Sequence, residues 1–181
     1  MRIRLLSTAL GLARLSLGCA SSSSGSDAGV AGGCPRYVSA TDLLTPSVSF
    51  GNDVKPILQA SCAIGGASCH GDPTVLASSR PFLGFADHAD AGTDTSVIDG
   101  LVGVKSSEDP SMNLVTAGDP AHSFLMHKMD GDQCTLISEC MVAGSHRPNC
   151  GVFMPYQAPS ILDVARRDVV RRWIGQGAQG N

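Results

Sequence analysis

The sequence lacks an excess of basic residues, and this excludes one broad class of partner. Lysine and arginine together number 13 against 16 aspartate and glutamate, so the net charge is −3. A nucleic-acid-binding domain carries a basic patch that neutralises phosphates, and we therefore expect no nucleic-acid partner. The sequence also lacks internal repeats and the groupings typical of enzymes, such as a nucleophile–base pair or a phosphate-binding glycine loop. We expect that the protein is not an enzyme.

Aromatic residues are scarce, at 4% of the chain, whereas glycine, proline and cysteine are plentiful. The 21 glycines and 10 prolines predict long loops. The length of 181 residues fits one domain of ordinary size and a leader, and 43% hydrophobic residues are enough for a core. Seven cysteines in so short a chain indicate an oxidising compartment or a bound cofactor.

The N-terminal segment predicts export. Arg2 and Arg4 precede an apolar stretch, Leu5 to Ala13, that is too short to span a membrane. The segment ends at Cys19 and resembles a bacterial lipoprotein leader, in which that cysteine carries the lipid; an ordinary cleaved signal is the alternative. The serine- and glycine-rich stretch that follows is predicted to be flexible, and we expect a lipoprotein of the periplasm or the cell surface. The resulting division of the chain is a signal peptide at 1–19, a linker at 20–33 and a folded domain at 34–181.

Hydrophobic periodicity predicts a mostly helical domain with long loops. Asn52 is expected to cap the first helix and Ser160 the last. A small β-hairpin is expected where the apolar stretches 101–105 and 112–116 flank a turn, and residues 130–149 are expected to be loop. The predicted helices run over about 53–61, 95–101, 121–129 and 162–175.

The last helix is predicted to have one apolar face and one arginine-rich face in solvent. The apolar face should pack on the core, and the arginines offer a weak long-range attraction to an acidic partner. The predicted apolar face consists of Leu162, Ala165, Val169 and Trp173. The predicted arginine-rich face consists of Arg166, Arg167, Arg171 and Arg172.

The segment 62–70 contains the pattern that most restricts the function. Six residues separate Cys62 from Cys69, and His70 follows at once. Two thiols can add to the two vinyl groups of haem while the adjacent imidazole binds the iron, an arrangement whose usual spacing is C-x-x-C-H. The pattern predicts an attached haem with Cys62 and Cys69 as thioethers and His70 as the proximal iron ligand.

A second iron ligand is expected at Met154. Haem iron in an electron-transfer protein takes two ligands from the protein, and histidine with methionine raises the reduction potential. Pro155 disfavours helical backbone at the residue before it, which predicts an extended stretch at Met154. His127 is the second candidate for this position.

Four segments of the folded part occur in an order that is shared with a known family. They are Phe50-Gly51-Asn52-Asp53-Val54-Lys55-Pro56-Ile57-Leu58, Cys69-His70-Gly71, Gly118-Asp119-Pro120 with Ser123, Leu125 and Lys128, and Met154-Pro155 with Val169, Trp173-Ile174 and Gly177-Ala178. Together they resemble the class I cytochrome c fold in its exported bacterial form, over roughly residues 48–180. The wide spacing of the two cysteines departs from the pattern of that family.

The resemblance implies a cytochrome c-like helical fold in which the helix at Phe50 crosses the helix at Trp173. It implies one haem c, held by the two cysteines and ligated by His70 and Met154. A protein of this kind passes single electrons between a donor and an acceptor. We therefore expect a redox partner protein, a membrane tether through the lipid, and a monomer.

Two alternatives remain open at the cysteines. In the first, Cys62 and Cys69 form a disulfide, and the protein is a lipoprotein that keeps this fold, has lost haem and serves as a surface or binding module. A zinc site built from Cys62, Cys69, His70 and one further cysteine is the other alternative. The remaining disulfide candidates, expected to brace the loop that leads to Met154, are Cys34, Cys134, Cys140 and Cys150.

Overall fold

A computed structural model describes most of the folded part of the chain. The predicted signal peptide at 1–19, with the lipidation site Cys19, and the linker at 20–33 lie outside the described residues. The described residues are 34, 36–64, 69–72, 81–84, 94–142 and 150–181.

Every regular element in these ranges is helical, which confirms the prediction of a mostly helical domain. No strand occurs among the described residues, and none of the helices there has the length and apolar character needed to cross a membrane. The α-helices in the described residues are α1 Lys55–Cys62, α2 Asp94–Asp99, α3 Phe124–Asp130, α4 Ile137–Val142 and α5 Val164–Gly175.

The first helix is preceded by a short π-helical turn, Phe50–Val54. Ser49, and not the predicted Asn52, caps this turn, because its Oγ accepts a hydrogen bond from the Asn52 N–H at 3.3 Å. Pro56 lies in the first turn of α1, where a missing N–H costs little. Phe50 and Leu58 are fully buried, so the π-helical turn and α1 both contribute to the core.

The π-helical turn packs against α5, which also packs against α3. The rings of Phe50 and Trp173 lie 5.0 Å apart between centroids, in a tilted arrangement. Aromatic pairs at this distance add attraction beyond the burial of their area. The predicted contact between these two parts of the chain is therefore present.

The helix predicted over 121–129 is broken at Ser123. A 3₁₀ turn, Pro120–His122, precedes Ser123, whose backbone is extended at φ −115° and ψ 114°. The Ser123 Oγ accepts from the Thr116 N–H at 2.9 Å and donates to the Asp119 carbonyl at 2.8 Å. These bonds hold the backbone of Ser123 outside helical geometry. Short polar side chains commonly compete in this way with the backbone hydrogen bonds of a helix.

The predicted hairpin is wrong. Backbone hydrogen bonds join the two stretches, such as the one from the Leu114 N–H to the Val104 carbonyl at 2.7 Å, but they form isolated bridges and no strands there, and the bridge between Val102 and Val115 is parallel. The turn between them is held by side chains, because the Ser106 Oγ accepts from the N–H groups of Glu108 and Asp109, both at 3.1 Å. These local bonds replace a regular antiparallel ladder.

The segment predicted as loop after α3 contains a 3₁₀ turn, Gln133–Leu136, and then α4. Two disulfides with both halves in the described residues fasten this region. Cys34 is joined to Cys134 and Cys140 to Cys150, with Cα–Cα distances of 5.8 and 5.5 Å. The four predicted disulfide cysteines are therefore paired with one another.

The start and the apolar face of α5 differ from the prediction. Asp163, and not Ser160, caps the helix, because its carboxylate accepts from the Arg166 N–H at 3.0 Å. The buried apolar residues are Val170, Trp173 and Ile174, whereas Ala165 is exposed. The helix is thus rotated relative to the predicted stripe.

Two of the arginines predicted to lie in solvent are buried. Arg167 and Arg171 are 3% and 8% exposed, and both donate to the carboxylate of Asp130, at 2.6 and 2.8 Å. Both guanidinium groups also lie over the ring of Tyr37. A buried cation is tolerated when such partners surround it, and here the pairs join α3 to α5.

Candidate cofactor site

Three of the four residues predicted to hold haem line one pocket. Cys62, His70 and Met154 all lie on its wall, although Met154 is remote from the other two in the sequence. The volume that the pocket encloses is about 60 Å³, below the ~300–1,000 Å³ typical of sites for small ligands and cofactors. The remaining lining residues are the apolar Pro81, Leu83, Leu114, Phe124, Leu125 and Met129, and the polar Ser106, Ser107, Glu108 and Lys128.

The ring of His70 is oriented by a backbone carbonyl. Its Nδ1 lies 2.8 Å from the carbonyl oxygen of Pro81. Because a carbonyl only accepts, the proton of the neutral ring is on Nδ1 and the lone pair is on Nε2. A histidine that binds a metal usually donates its other ring N–H in this way. The hydrogen bond therefore gives His70 the tautomer that an iron ligand requires.

The backbone fixes His70 on both sides. Its N–H donates to the Cys62 carbonyl at 3.2 Å, and its carbonyl accepts from the Leu83 N–H at 2.9 Å. The first bond attaches the histidine to the C-terminal end of α1. The second attaches it to the segment 81–84, which also supplies Pro81.

The two cysteines predicted as haem thioethers are in different chemical states. Cys62 is a free thiol at the end of α1, and burial raises the pKa of this thiol to about 12. Cys69 is half-buried, does not line the pocket and is disulfide-bonded. Addition to a vinyl group consumes a thiol, so attachment through Cys69 requires reduction of that bond first.

Met154 reaches the pocket on a segment that follows the Cys140–Cys150 disulfide. Its N–H donates to the Lys128 carbonyl near the end of α3, at 2.8 Å. The side chain is half-buried, and the following peptide bond to Pro155 is cis. The methionine thus meets the site from the side of α3, whereas His70 comes from the side of α1.

A buried ion pair forms the polar part of the wall. The Lys128 ammonium lies 2.8 Å from the carboxylate of Glu108, and their side chains are 7% and 18% exposed. The ammonium also donates to the Cys150 carbonyl at 2.8 Å and lies 5.5 Å from the centre of the Phe124 ring. The pocket therefore combines apolar walls with one neutralised pair of charges.

His127, the second candidate for the distal ligand, is engaged elsewhere. Its Nδ1 lies 2.8 Å from the carboxylate of Asp132 and its Nε2 lies 3.1 Å from the Ala121 carbonyl. Both partners are acceptors, so only the doubly protonated ring satisfies both. Burial disfavours that charge, but the hydrogen bonds and the charges of Asp132 and Asp130 outweigh it and raise the pKa of His127. A protonated ring has no lone pair for a metal.

The donor set suits haem better than a bare metal ion. Among the described residues, no group of three or more His, Cys, Asp or Glu is placed to hold a metal ion. The zinc set proposed around Cys62 and His70 has no counterpart there, and the four distant cysteines are paired. Haem needs only two protein ligands, because the porphyrin supplies the other four. One imidazole and one thioether on an otherwise apolar pocket fit that requirement.

Three residues that shape the pocket were not identified as site residues from the sequence. Pro81 lies in a loop-rich stretch with no periodic signal, and its role depends on a carbonyl that every residue carries. Glu108 was placed in a turn. Lys128 lies in the helix predicted over 121–129, but its spacing gives no sign that it is buried beside Glu108. Contacts between remote segments determine all three roles.

Comparison of the chain with protein-family models, with curated proteins and with solved structures gives no match.

Proposed function

We propose that this protein is a mono-haem cytochrome of the class I c type that transfers single electrons. The observation that carries the proposal is the meeting of His70 and Met154 on one apolar pocket, with Nδ1 of the histidine bonded to the Pro81 carbonyl. Histidine and methionine are the ligand pair typical of electron-transfer haems. The helical fold and the contact between Phe50 and Trp173 agree with the cytochrome c resemblance.

In this proposal the haem supplies the one-electron chemistry and the chain tunes it. His70 Nε2 and the Met154 sulfur would hold the iron. The thioether favours the ferrous state and raises the potential. The apolar walls, which include Leu114 and Phe124, exclude water and lower the local polarity. Cys62, and Cys69 once reduced, attach the porphyrin edge.

The setting that we propose is the outer side of a bacterial membrane. Cys19 carries the lipid anchor, which uses its thiol and so requires, like a thioether at Cys69, that the disulfide at Cys69 is not formed. The linker at 20–33 gives the domain reach, and a separate protein exchanges electrons with it. The disulfides Cys34–Cys134 and Cys140–Cys150 agree with an oxidising compartment. The domain works as a monomer and does not itself catalyse a reaction.

The visible spectrum tests the proposal. The full chain, expressed with a competent haem-maturation system, should be red and have an intense Soret band. His70→Ala should lose most of the haem. Met154→Ala should keep haem, lose the methionine–iron band and bind carbon monoxide readily in the ferrous form. Met112→Ala is the control, because Met112 packs at the edge of the core and does not line the pocket. A colourless wild-type protein would refute the proposal.

A second candidate function is a haem-free binding module, stabilised by disulfides. The observation that favours it is the disulfide at Cys69, because a cysteine held in a disulfide is not a thioether. Intact-mass measurement on purified protein separates the two functions. The added mass of one haem supports the cytochrome, whereas a mass with no haem and Cys69 still oxidised supports the module.

A further inference from the structure

We infer that Lys128 is the positioning residue for Met154, and that it sets how firmly the methionine sulfur holds the distal side of the site. This inference rests on the proposed haem function. Lys128 would act through the segment 150–154 and without touching the iron. The same residue lies on the pocket wall, so the segment and the pocket share one support.

Lys128 holds the methionine segment at two points. Its ammonium donates to the Cys150 carbonyl at 2.8 Å in a buried setting. Its own carbonyl accepts from the Met154 N–H, also at 2.8 Å. The first bond fixes the start of the segment and the second fixes the methionine itself. This helical residue therefore supports both ends, together with the Cys140–Cys150 disulfide and the Gln133 amide, which donates to the Gly151 carbonyl.

The ammonium is itself fixed from three sides. Glu108 contributes a carboxylate at 2.8 Å, Phe124 contributes a ring face at 5.5 Å, and the Cys150 carbonyl completes the set. A hydrogen bond from a charged donor is stronger than a neutral one. The Lys128 side chain is only 7% exposed, so water does not replace its partners readily.

The segment packs closely on this ion pair at position 151, so a side chain there would have to displace the ends of two flexible side chains. A Cβ built on Gly151 would lie 2.9 Å from the Lys128 ammonium and 2.9 Å from a Glu108 carboxylate oxygen. The φ of Gly151 is +72°, a left-handed conformation that favours glycine. Glycine at this position is therefore what permits the contact.

The functional consequence concerns competition at the iron. A methionine that is held in place rebinds faster than a methionine on a loose segment, so it resists displacement by external ligands. Removal of the ammonium should leave His70 and the thiol attachment points in place. It should remove one support of the segment between Cys150 and Met154, while the disulfide at Cys150 and the hydrogen bond of the Met154 N–H remain.

Titration of the ferric holoprotein with imidazole tests this inference. Lys128→Met should raise the apparent affinity for imidazole about tenfold, the effect of losing one hydrogen bond from a charged donor. It should also weaken the methionine–iron band relative to the amount of haem bound. Lys105→Met is the matched control, because Lys105 is exposed and donates only to the Ser111 carbonyl, on the other side of the turn. Wild-type imidazole affinity in Lys128→Met would overturn the inference.

A second variant keeps the test decisive if Lys128→Met does not fold. Gly151→Ala retains the lysine and pushes the segment away from it, so the imidazole affinity should rise in the same direction. An affinity unchanged in this variant counts against the inference. A wild-type protein without haem overturns the proposed function and this inference together. A haem-bound wild type with unresponsive variants overturns the inference alone.

Discussion

At the scale of single residues, the state of His127 has a measurable consequence. Its two ring nitrogens face the carboxylate of Asp132 and the carbonyl of Ala121, so the folded protein favours the charged ring. Asp130, the other acidic group near the ring, is held by Arg167 and Arg171. The pKa of His127 is consequently raised above its usual value. A raised pKa in the folded state means that the unfolded chain releases this proton first as the pH increases.

We predict that the free energy of unfolding falls as the pH rises above about 6.5, the ordinary pKa of histidine. The contribution of His127 is fully present below that pH and is lost as the pH passes the higher folded pKa. Chemical denaturation at several pH values between about 5.5 and 8.5 should show a loss on the order of 1–2 kcal/mol.

The variant His127→Gln should abolish most of this dependence. His122→Gln is the control, because that ring is exposed, with 73% of its side chain accessible, although it also contacts an aspartate. An equal pH dependence in His127→Gln and the wild type would show that the ring is not charged in the folded protein.

At the scale of elements, the disulfide Cys140–Cys150 closes the region directly before the methionine segment. Cys150 is at once a disulfide partner and, through its carbonyl, an acceptor for Lys128. His70 is attached to the end of α1 and to the segment 81–84, on the other side of the pocket. Loss of this disulfide should therefore affect Met154 before His70.

We predict that the double variant Cys140→Ser/Cys150→Ser keeps its haem but loses most of the methionine–iron band at a temperature where the wild type retains it. The matched control is Cys34→Ser/Cys134→Ser, which opens the disulfide that joins the start of the folded part to the 3₁₀ turn after α3. Absorption spectra of both proteins during heating give the measurement. An unchanged band in the first variant would contradict the prediction, and so would equal losses in both.

The sequence predicted the elements better than their ends or their faces. The helices near Phe50 and Trp173 were predictable because apolar residues recur there at helical spacing. The break at Ser123 was not, because it depends on hydrogen bonds to Thr116 and Asp119 that form only in the folded chain. The burial of Arg167 could not be predicted from the sequence for the same reason, since its partner Asp130 lies on another helix.

The site followed the same rule. The sequence singles out His70 and Met154 because their chemistry and neighbours in the chain are distinctive; the fold brings both to one pocket, and their role as iron ligands stays a prediction. The carbonyl of Pro81 and the ion pair of Lys128 with Glu108 carry no local signal. Their roles arise from contacts between segments that are distant in the sequence.

At the scale of the whole molecule, the pocket is a meeting point of segments that regular structure does not otherwise join. The end of α1, the segment 81–84, the turn at 106–108, α3 and Met154 all line it. A cofactor that is bonded on both sides would connect these segments. A group that binds the folded state in this way stabilises it.

We predict that the haem-loaded protein unfolds at a temperature at least about 5 °C higher than the same chain expressed without haem maturation. Thermal unfolding followed by far-ultraviolet circular dichroism gives both midpoints. Met154→Ala should recover only part of the increase, because the haem is then bonded from one side. Equal midpoints for loaded and unloaded wild-type protein would show that the cofactor does not link the segments.

The pairing of Phe50 with Trp173 also supplies an optical reporter. Trp173 is the only tryptophan in the chain, it is 1% exposed, and its indole N–H donates to the Gln179 carbonyl at 2.9 Å. Fluorescence excited in the indole band therefore originates from one buried position. A nearby iron porphyrin would quench that emission by energy transfer, and a denaturant would restore it and shift it to the red. The tryptophan fluorescence of one unlabelled sample would therefore report both haem binding and unfolding of the core.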